Sequence, residues 1–232
     1  MSLPEVREHE RFRNIYWVET EGERILATKN LARGVSVYGE RRIQSGGEEY
    51  RAWSYYRSKL TAAIIKDASE IFIKPGSTVL YLGAASGTTA SHVSDIIGPE
   101  GFLYGVDFSP KVMLQFLRNV AEPRKNVAAV LEDARIPKAY KHLVGEVDVI
   151  YCDVAQPEQA KLVVDNAKAM LRTGGGALVA IKARSVDSVE EPERVYGREA
   201  AFLREHGFEI LETVNLEPYE RDHVMVVARF RG

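Results

Sequence analysis

The residues of this chain best suited to chemistry gather around Gly83-Ala84-Ala85-Ser86-Gly87-Thr88-Thr89. The apolar run Val79-Leu80-Tyr81-Leu82 ends at Gly83, and Ala90, Val93, Ile96 and Ile97 then share one helical face until Gly98-Pro99 stops it. A strand, a glycine turn and a helix start bring backbone N–H groups close to a polar or anionic ligand. Gly101 to Asp107 follows as a second apolar strand closed by an acid, placed to accept hydrogen bonds from ribose hydroxyls. Ala85 and Thr88 stand at the second and third glycine positions of the dinucleotide fingerprint G-x-G-x-x-G, so the turn is not that motif. Polar residues also fall where later strands should end: Asp133, then Asp153-Val154-Ala155-Gln156, then Lys182. Ligands of open α/β sheets sit beyond the carboxyl ends of the strands, so these ends can border one site.

The elements that must position these residues alternate strand and helix, the pattern of a mostly parallel sheet covered on both faces. Strands are expected over Val127–Leu131, Val147–Asp153 and Ala177–Lys182, the last entered through Gly174-Gly175-Gly176. Ser109-Pro110 caps a helix with Val112, Phe116, Leu117 and Val120 inward. Pro157 opens another, with Ala160, Val163, Val164, Ala167 and Leu171 inward, and a third runs from about Glu193 to His206. Phe208–Leu216 and His223–Phe230 are joined by six residues and must be antiparallel. Upstream, Leu60, Ile64, Ala68 and Ile71 share one face of a helix that ends before Lys74-Pro75. Residues 1–56 read as a small antiparallel module, with strands over Ile15–Val18, Arg24–Thr28 and Val35–Tyr38 punctuated by Gly22, Gly34 and Gly46-Gly47. Tyr50 to Leu60 forms the junction to the larger domain, residues 57–232.

The 232 residues are 45% hydrophobic, enough for one good core and a small second module. The formal charge of −2 supplies no global positive field, so an RNA substrate would have to be brought by partners. Arg7, Arg11, Arg13, Arg24, Lys29, Arg33, Arg41 and Arg42 are nearly cancelled by interleaved glutamates, which for most of them reads as a solvated mixed surface. The lone cysteine, Cys152, excludes an internal disulfide and reads as a small buried side chain in a reducing compartment. There is no bilayer-length apolar run and no signal sequence, which points to a soluble cytoplasmic protein. Scattered histidines and a single cysteine give no metal spacing, so no metal site is expected.

Leu82-Gly83-Ala84-Ala85-Ser86-Gly87-Thr88-Thr89-Ala90-Ser91-His92-Val93-Ser94-Asp95 closely resembles the cofactor motif of the fibrillarin family in its archaeal form. Lys29-Asn30-Leu31, Val37-Tyr38-Gly39-Glu40 and the late run Glu217 to His223 also look like that family; the glycine- and arginine-rich leader of its eukaryotic members is not seen. The resemblance implies a Rossmann-like methyltransferase sheet that is parallel with an antiparallel last strand. The activity implied is S-adenosylmethionine-dependent RNA ribose 2′-O-methylation of pre-rRNA and tRNA. The implied partners are a Nop-type scaffold protein, a kink-turn-binding ribosomal-type protein and a box C/D guide RNA. For S-adenosylmethionine it implies Gly83, Ala84, Thr88 and Thr89 near the methionine end, and Asp107 on the ribose, where the family usually has glutamate. Phe108 would lie against the adenine, Asp133 would accept from its amino group, and Ala134, Asp153 and Gln156 would complete the set. Lys59, Asp153, Lys182 and His223 resemble the family's catalytic tetrad. An ammonium cannot accept a proton, so burial and the neighbouring cation Lys59 are expected to favour a neutral Lys182. His92 is left as a capping or packing residue.

Competing readings are a nicotinamide-dependent oxidoreductase, which the missing glycine at Ala85 opposes, and a non-enzymatic RNA scaffold, which the Lys59–Asp153–Lys182 set opposes. A methyltransferase acting on protein, or on RNA without a guide, remains open from residues alone.

Overall fold

The computed structural model describes residues 4–20 and 22–232; residues 1–3, at the start of the expected small module, and residue 21 lie outside it. Five antiparallel strands come first: β1 (Glu5–Glu8), β2 (Ile15–Thr20), β3 (Glu23–Lys29), β4 (Arg42–Ser45) and β5 (Glu48–Ala52), in the order β1-β2-β3-β5-β4. Gly46 and Gly47, both at positive φ, close a two-residue hairpin between β4 and β5, which pairs Ser45 with Glu48. The expected strand over Val35–Tyr38 does not form. The Glu40 carboxylate takes hydrogen bonds from the Val37 and Tyr38 amides and from Ser36 Oγ, so a side chain serves the donors that a ladder would use. The junction expected from Tyr50 accordingly begins inside β5.

Helix α1 (Lys59–Ile65) is capped by Ser58, whose Oγ accepts from the Thr61 amide. It is shorter than expected. Beyond it the amides find carboxylates: Ser69 N–H donates to Glu212 at 2.7 Å, and Ile71 and Phe72 donate to Glu70 at 2.8 and 2.6 Å. Ala68 and Ile71 stay buried without a helix to carry them.

The second sheet is built from β6 (Thr78–Leu82), α2 (Thr88–Ile97), β7 (Phe102–Asp107), α3 (Pro110–Phe116), β8 (Val127–Leu131), α4 (Pro137–Val144), β9 (Val147–Cys152), α5 (Gln159–Met170), β10 (Leu171–Lys182), α6 (Ala183–Val186), α7 (Pro192–Glu205), β11 (Phe208–Asn215) and β12 (His223–Phe230). Its strand order is β11-β12-β10-β9-β6-β7-β8, with β12 antiparallel to both neighbours and β8, β7, β6, β9 and β10 parallel. This is the methyltransferase sheet the sequence implied. Alternate residues of each strand face opposite sides. Val79, Tyr81, Val149 and Tyr151 pack with α1, α2 and α3. Leu80, Leu82, Ile150 and Cys152 pack with α4, α5 and α7. Ile15, Leu26 and Trp53 join the first of these clusters, so the two sheets share a core.

Two helical details differ from the pattern. After α3 a widened turn over Leu117–Ala121, with Glu122 N–H bonded to the Leu117 carbonyl, inserts a residue. Leu117 therefore points to solvent and Val112 is half-buried, while Met113, Phe116 and Val120 are inside. Leu171 is buried, but as the first residue of β10 and not the last of a helix. Cys152 is wholly buried, and burial pushes its thiol up to about 12. No described helix is long and apolar enough to cross a membrane.

His9, His92 and His223 are all buried, and desolvation lowers each below the ordinary value of 6.5. The unfolded chain takes up these protons first as the pH falls, so unfolding is favoured below about pH 6.5. Denaturant titration is expected to give full stability above pH 7 and a decline from pH 7 to pH 5, of up to about 1.4 kcal/mol per pH unit for each histidine. A flat profile over that range would contradict this reading.

Candidate active site

The strand order reverses between β6 and β9: the chain moves outward from β6 to β7 and β8, then returns to β9 on the other side. Such a switch point leaves a crevice at the carboxyl ends of the strands. There the Asp153 amide donates to the Leu82 carbonyl at 2.9 Å. Gly83, at φ +81°, abuts Asp153 so closely that a Cβ would stand 2.5 Å from the Asp153 carbonyl oxygen. Only glycine fits between these strand ends.

Asp107 closes β7 and braces the turns on either side. Its Oδ2 accepts from the Ala85 amide at 3.2 Å and its Oδ1 from the Ser109 amide at 3.0 Å. A carboxylate has about four acceptor positions, so two remain for hydroxyls of a ligand. Gly87, the N-cap of α2, carries no capping side chain, which leaves the first amides of that helix without a side-chain acceptor.

A cavity of about 330 Å³ lies at this crevice. Gly83, Asp107, Phe108, Asp133, Ala134, Asp153 and Gln156 all border it, so seven of the expected cofactor residues meet there. Phe108 is largely exposed on its rim. Ala84, Thr88 and Thr89 do not border it. Ala84 is buried beneath the turn, and buried Thr89 donates from Oγ1 to Ser58 Oγ at 2.9 Å, towards the cap of α1. Arg135 was not singled out in the sequence. Its Nε lies 3.0 Å from each Asp133 oxygen, and this hydrogen bonding holds the Asp133 carboxyl below its usual range. The Asp-x-Arg spacing was the available signal. A larger hollow, about 470 Å³, opens at the opposite ends of the parallel strands and receives none of the expected site residues.

Beside the crevice, Lys59 opens α1 and its Nζ lies 3.0 Å from both carboxylate oxygens of Asp153. His223 opens β12 as the register partner of Lys182, the last residue of β10. The His223 Nδ1 lies 2.6 Å from the Arg221 carbonyl, which fixes that nitrogen as the N–H donor and leaves Nε2 as acceptor. Burial pulls the ring below the ordinary histidine range, so it is neutral at pH 7. The charges of both Lys59 and Asp153 act on it. Lys182 differs from expectation: it is exposed, so the burial expected to favour its neutral amine is absent in the isolated chain. It shares a face of β10 with buried Leu178 and Ala180 but ends the strand, where its side chain emerges from the core. Its backbone is fixed by Gln159, whose Oε1 accepts from the Lys182 amide at 3.1 Å.

The Fibrillarin family profile matches residues 6–232. The fibrillarin-like rRNA/tRNA 2′-O-methyltransferase of Aeropyrum pernix is 55% identical over 227 residues, 97% of each chain. The crystal structure of Aeropyrum pernix fibrillarin, in complex with natively bound S-adenosyl-L-methionine, superposes with a TM-score of 0.91 at 53% identity, covering 98% of this chain and 100% of that one. A fibrillarin chain from a fibrillarin/Nop5p complex gives 0.86 at 36% identity, with 97% and 100% covered.

Proposed function

The chain belongs to the fibrillarin family, and on that premise we propose that it is an S-adenosylmethionine-dependent methyltransferase acting on the ribose 2′-hydroxyls of rRNA and tRNA. The observation that carries this reading is the meeting, at one switch point, of a cavity bordered by Gly83, Asp107 and Asp133 with the Lys59–Asp153 ion pair. The residues present suit the cofactor: apolar Phe108, Val154 and Leu162 flank two carboxylates at neighbouring strand ends, within the usual volume range of small-molecule sites. Asp107 takes the ribose hydroxyls, Asp133 the adenine amino group, and Phe108 the adenine face. The uncapped start of α2 and the edge formed by Asp153 and Gln156 hold the methionine end, while the amides of Gly83, Ala84, Ala85 and Gly87 keep the turn itself in shape.

When bound, S-adenosylmethionine supplies an electrophilic methyl group. The protein's task is to align the ribose hydroxyl with it and remove a proton. Alignment alone lowers the barrier by roughly 7–11 kcal/mol. Lys182 Nζ takes the proton from the 2′-hydroxyl; the docked RNA supplies the desolvation that the isolated chain lacks. Asp153 holds the Lys59 ammonium near the reacting groups, and His223 Nε2 orients or relays the proton. The Asp107 side chain, shorter than the family's usual glutamate, already spans two turns, which supports its having a fixed position towards the ribose.

A Nop-type scaffold is the partner that the Nop5p-bound relative supports. We extend the assembly to a kink-turn-binding protein and a box C/D guide RNA in the cytoplasm of an archaeal cell, with residues 1–56 as the small module and 57–232 as the methyltransferase domain. The charge of −2 fits a subunit to which RNA is delivered. Labelled methyl transfer to a target RNA tests this: incorporation is expected with scaffold and guide, and little without them. Equal transfer in their absence would refute the guided reading. Gly83→Ala, which forces a Cβ against the Asp153 carbonyl at an unfavourable φ, is expected to weaken S-adenosylmethionine binding at least about tenfold by calorimetry. Unchanged affinity would mean the ligand does not use this crevice.

A further inference from the structure

The first turn of α2 carries the glycine turn, yet no side chain caps it locally. Its anchors come from upstream. Arg51, on β5, is wholly buried and forks to three partners. Nη1 reaches Asp95 at 2.8 Å, Nε reaches Glu40 at 2.6 Å, and Nη2 donates to Ser91 Oγ at 2.8 Å. Ser91 Oγ in turn donates to the carbonyl of Thr88, the first residue of α2, at 2.9 Å. Two hydrogen bonds thus connect the N-terminal sheet to the start of the helix. One turn further on, His92 sits 2.7 Å from both Thr28 Oγ1 and Tyr38 Oη and stacks on Trp53.

The other end of α2 is held independently. Asn14 Nδ2 donates to the Ile96 carbonyl at 2.8 Å, and Asn126 Nδ2 donates to the carbonyls of Ser94 and Gly98. Thr89 Oγ1, bonded to Ser58 Oγ at 2.9 Å, holds the first turn on its other side, so loosening the Arg51–Ser91–Thr88 connection shifts that turn without releasing the helix. We infer that Arg51 is a positioning residue for the methyl donor: acting through Ser91, it sets the Thr88 carbonyl and with it the aim of the uncapped amides at the start of α2. The inference rests on the proposed S-adenosylmethionine reading of that turn. It gives the N-terminal sheet a part in cofactor binding although none of its residues borders the cavity.

Titration calorimetry of the full chain with S-adenosylmethionine separates positioning from mere support. Ser91→Ala breaks the connection while leaving Arg51 paired with Glu40 and Asp95, and Arg51→Lys keeps the charge but loses the fork. Each is expected to weaken binding about three- to tenfold, the worth of one hydrogen bond, in a chain that still melts cooperatively. Asn14→Ala, at the far end, is expected to lower the melting temperature and leave affinity within twofold. In turnover, Ser91→Ala should raise KM for the methyl donor and leave kcat within about threefold, as loss of ground-state binding does. Wild-type affinity in both Ser91→Ala and Arg51→Lys would overturn the inference. Failure of the unsubstituted chain to bind is a different result, which removes the cofactor reading itself and this inference with it.

Discussion

Lys182→Ala lowers the rate of methyl transfer by about 10²- to 10⁴-fold, the range a general base contributes, and leaves the melting temperature unchanged. The two halves of this expectation have separate causes. Lys182 is exposed at the end of β10, and its backbone contacts to Gln159 and His223 do not involve its ammonium, so the fold loses little with it. In the proposed mechanism the reaction loses its proton acceptor. Steady-state kinetics on a guided RNA should place the loss in kcat, because nothing in the cavity proposed for the cofactor is removed. Asp153→Asn should fall in the same range but also release Lys59 from its 3.0 Å pairing. Near wild-type turnover in Lys182→Ala would mean that the proton leaves by another route.

Arg51→Met destabilises the chain by about 3–5 kcal/mol, as removal of one partner from a buried ion cluster does. Glu40 and Asp95 are as buried as Arg51 itself, and the Arg51 guanidinium is the main reason the Glu40 carboxyl lies at about 2 despite its burial. Arg124 approaches Asp95 only to 3.6 Å, with two of its own nitrogens unpartnered, and cannot replace the lost fork. For a chain of this size the expected fall in melting temperature is roughly 6–20 °C. A change under about 2 °C would show that the cluster is close to neutral for the fold. Ser91→Ala should remain near wild type in the same measurement, which separates its effect on the cofactor from stability.

The strand ends that border the cavity were legible because they obey local rules. The apolar run to Leu82, the acid after Val106 and the acid after Cys152 each mark a strand end, and parallel strands bring such ends together. What escaped depends on side chains that take over backbone amides, on a local insertion, or on partners distant in sequence. Val35–Tyr38 has strand-like residues, but the Glu40 carboxylate serves its amides. The helix expected to reach Ile71 ends at Ile65, where carboxylates including that of Glu212 take over the next amides. Leu117 faces water because of one inserted residue in the turn. Thr89 turns towards Ser58, thirty-one positions earlier. Arg51 sits in the run expected as the junction, where nothing local marks it as buried, and its burial follows from pairing with residues 11 and 44 positions away.

The central claim is that the strand ends hold the methyl donor opposite an amine that deprotonates a ribose. Alkaline digestion of RNA labelled by the reconstituted particle tests it directly, since cleavage of a linkage requires its free 2′-hydroxyl. Label is expected in an alkali-resistant dinucleotide at the guided position, and none with Lys182→Ala. Label recovered in alkali-sensitive mononucleotides or in protein would contradict it.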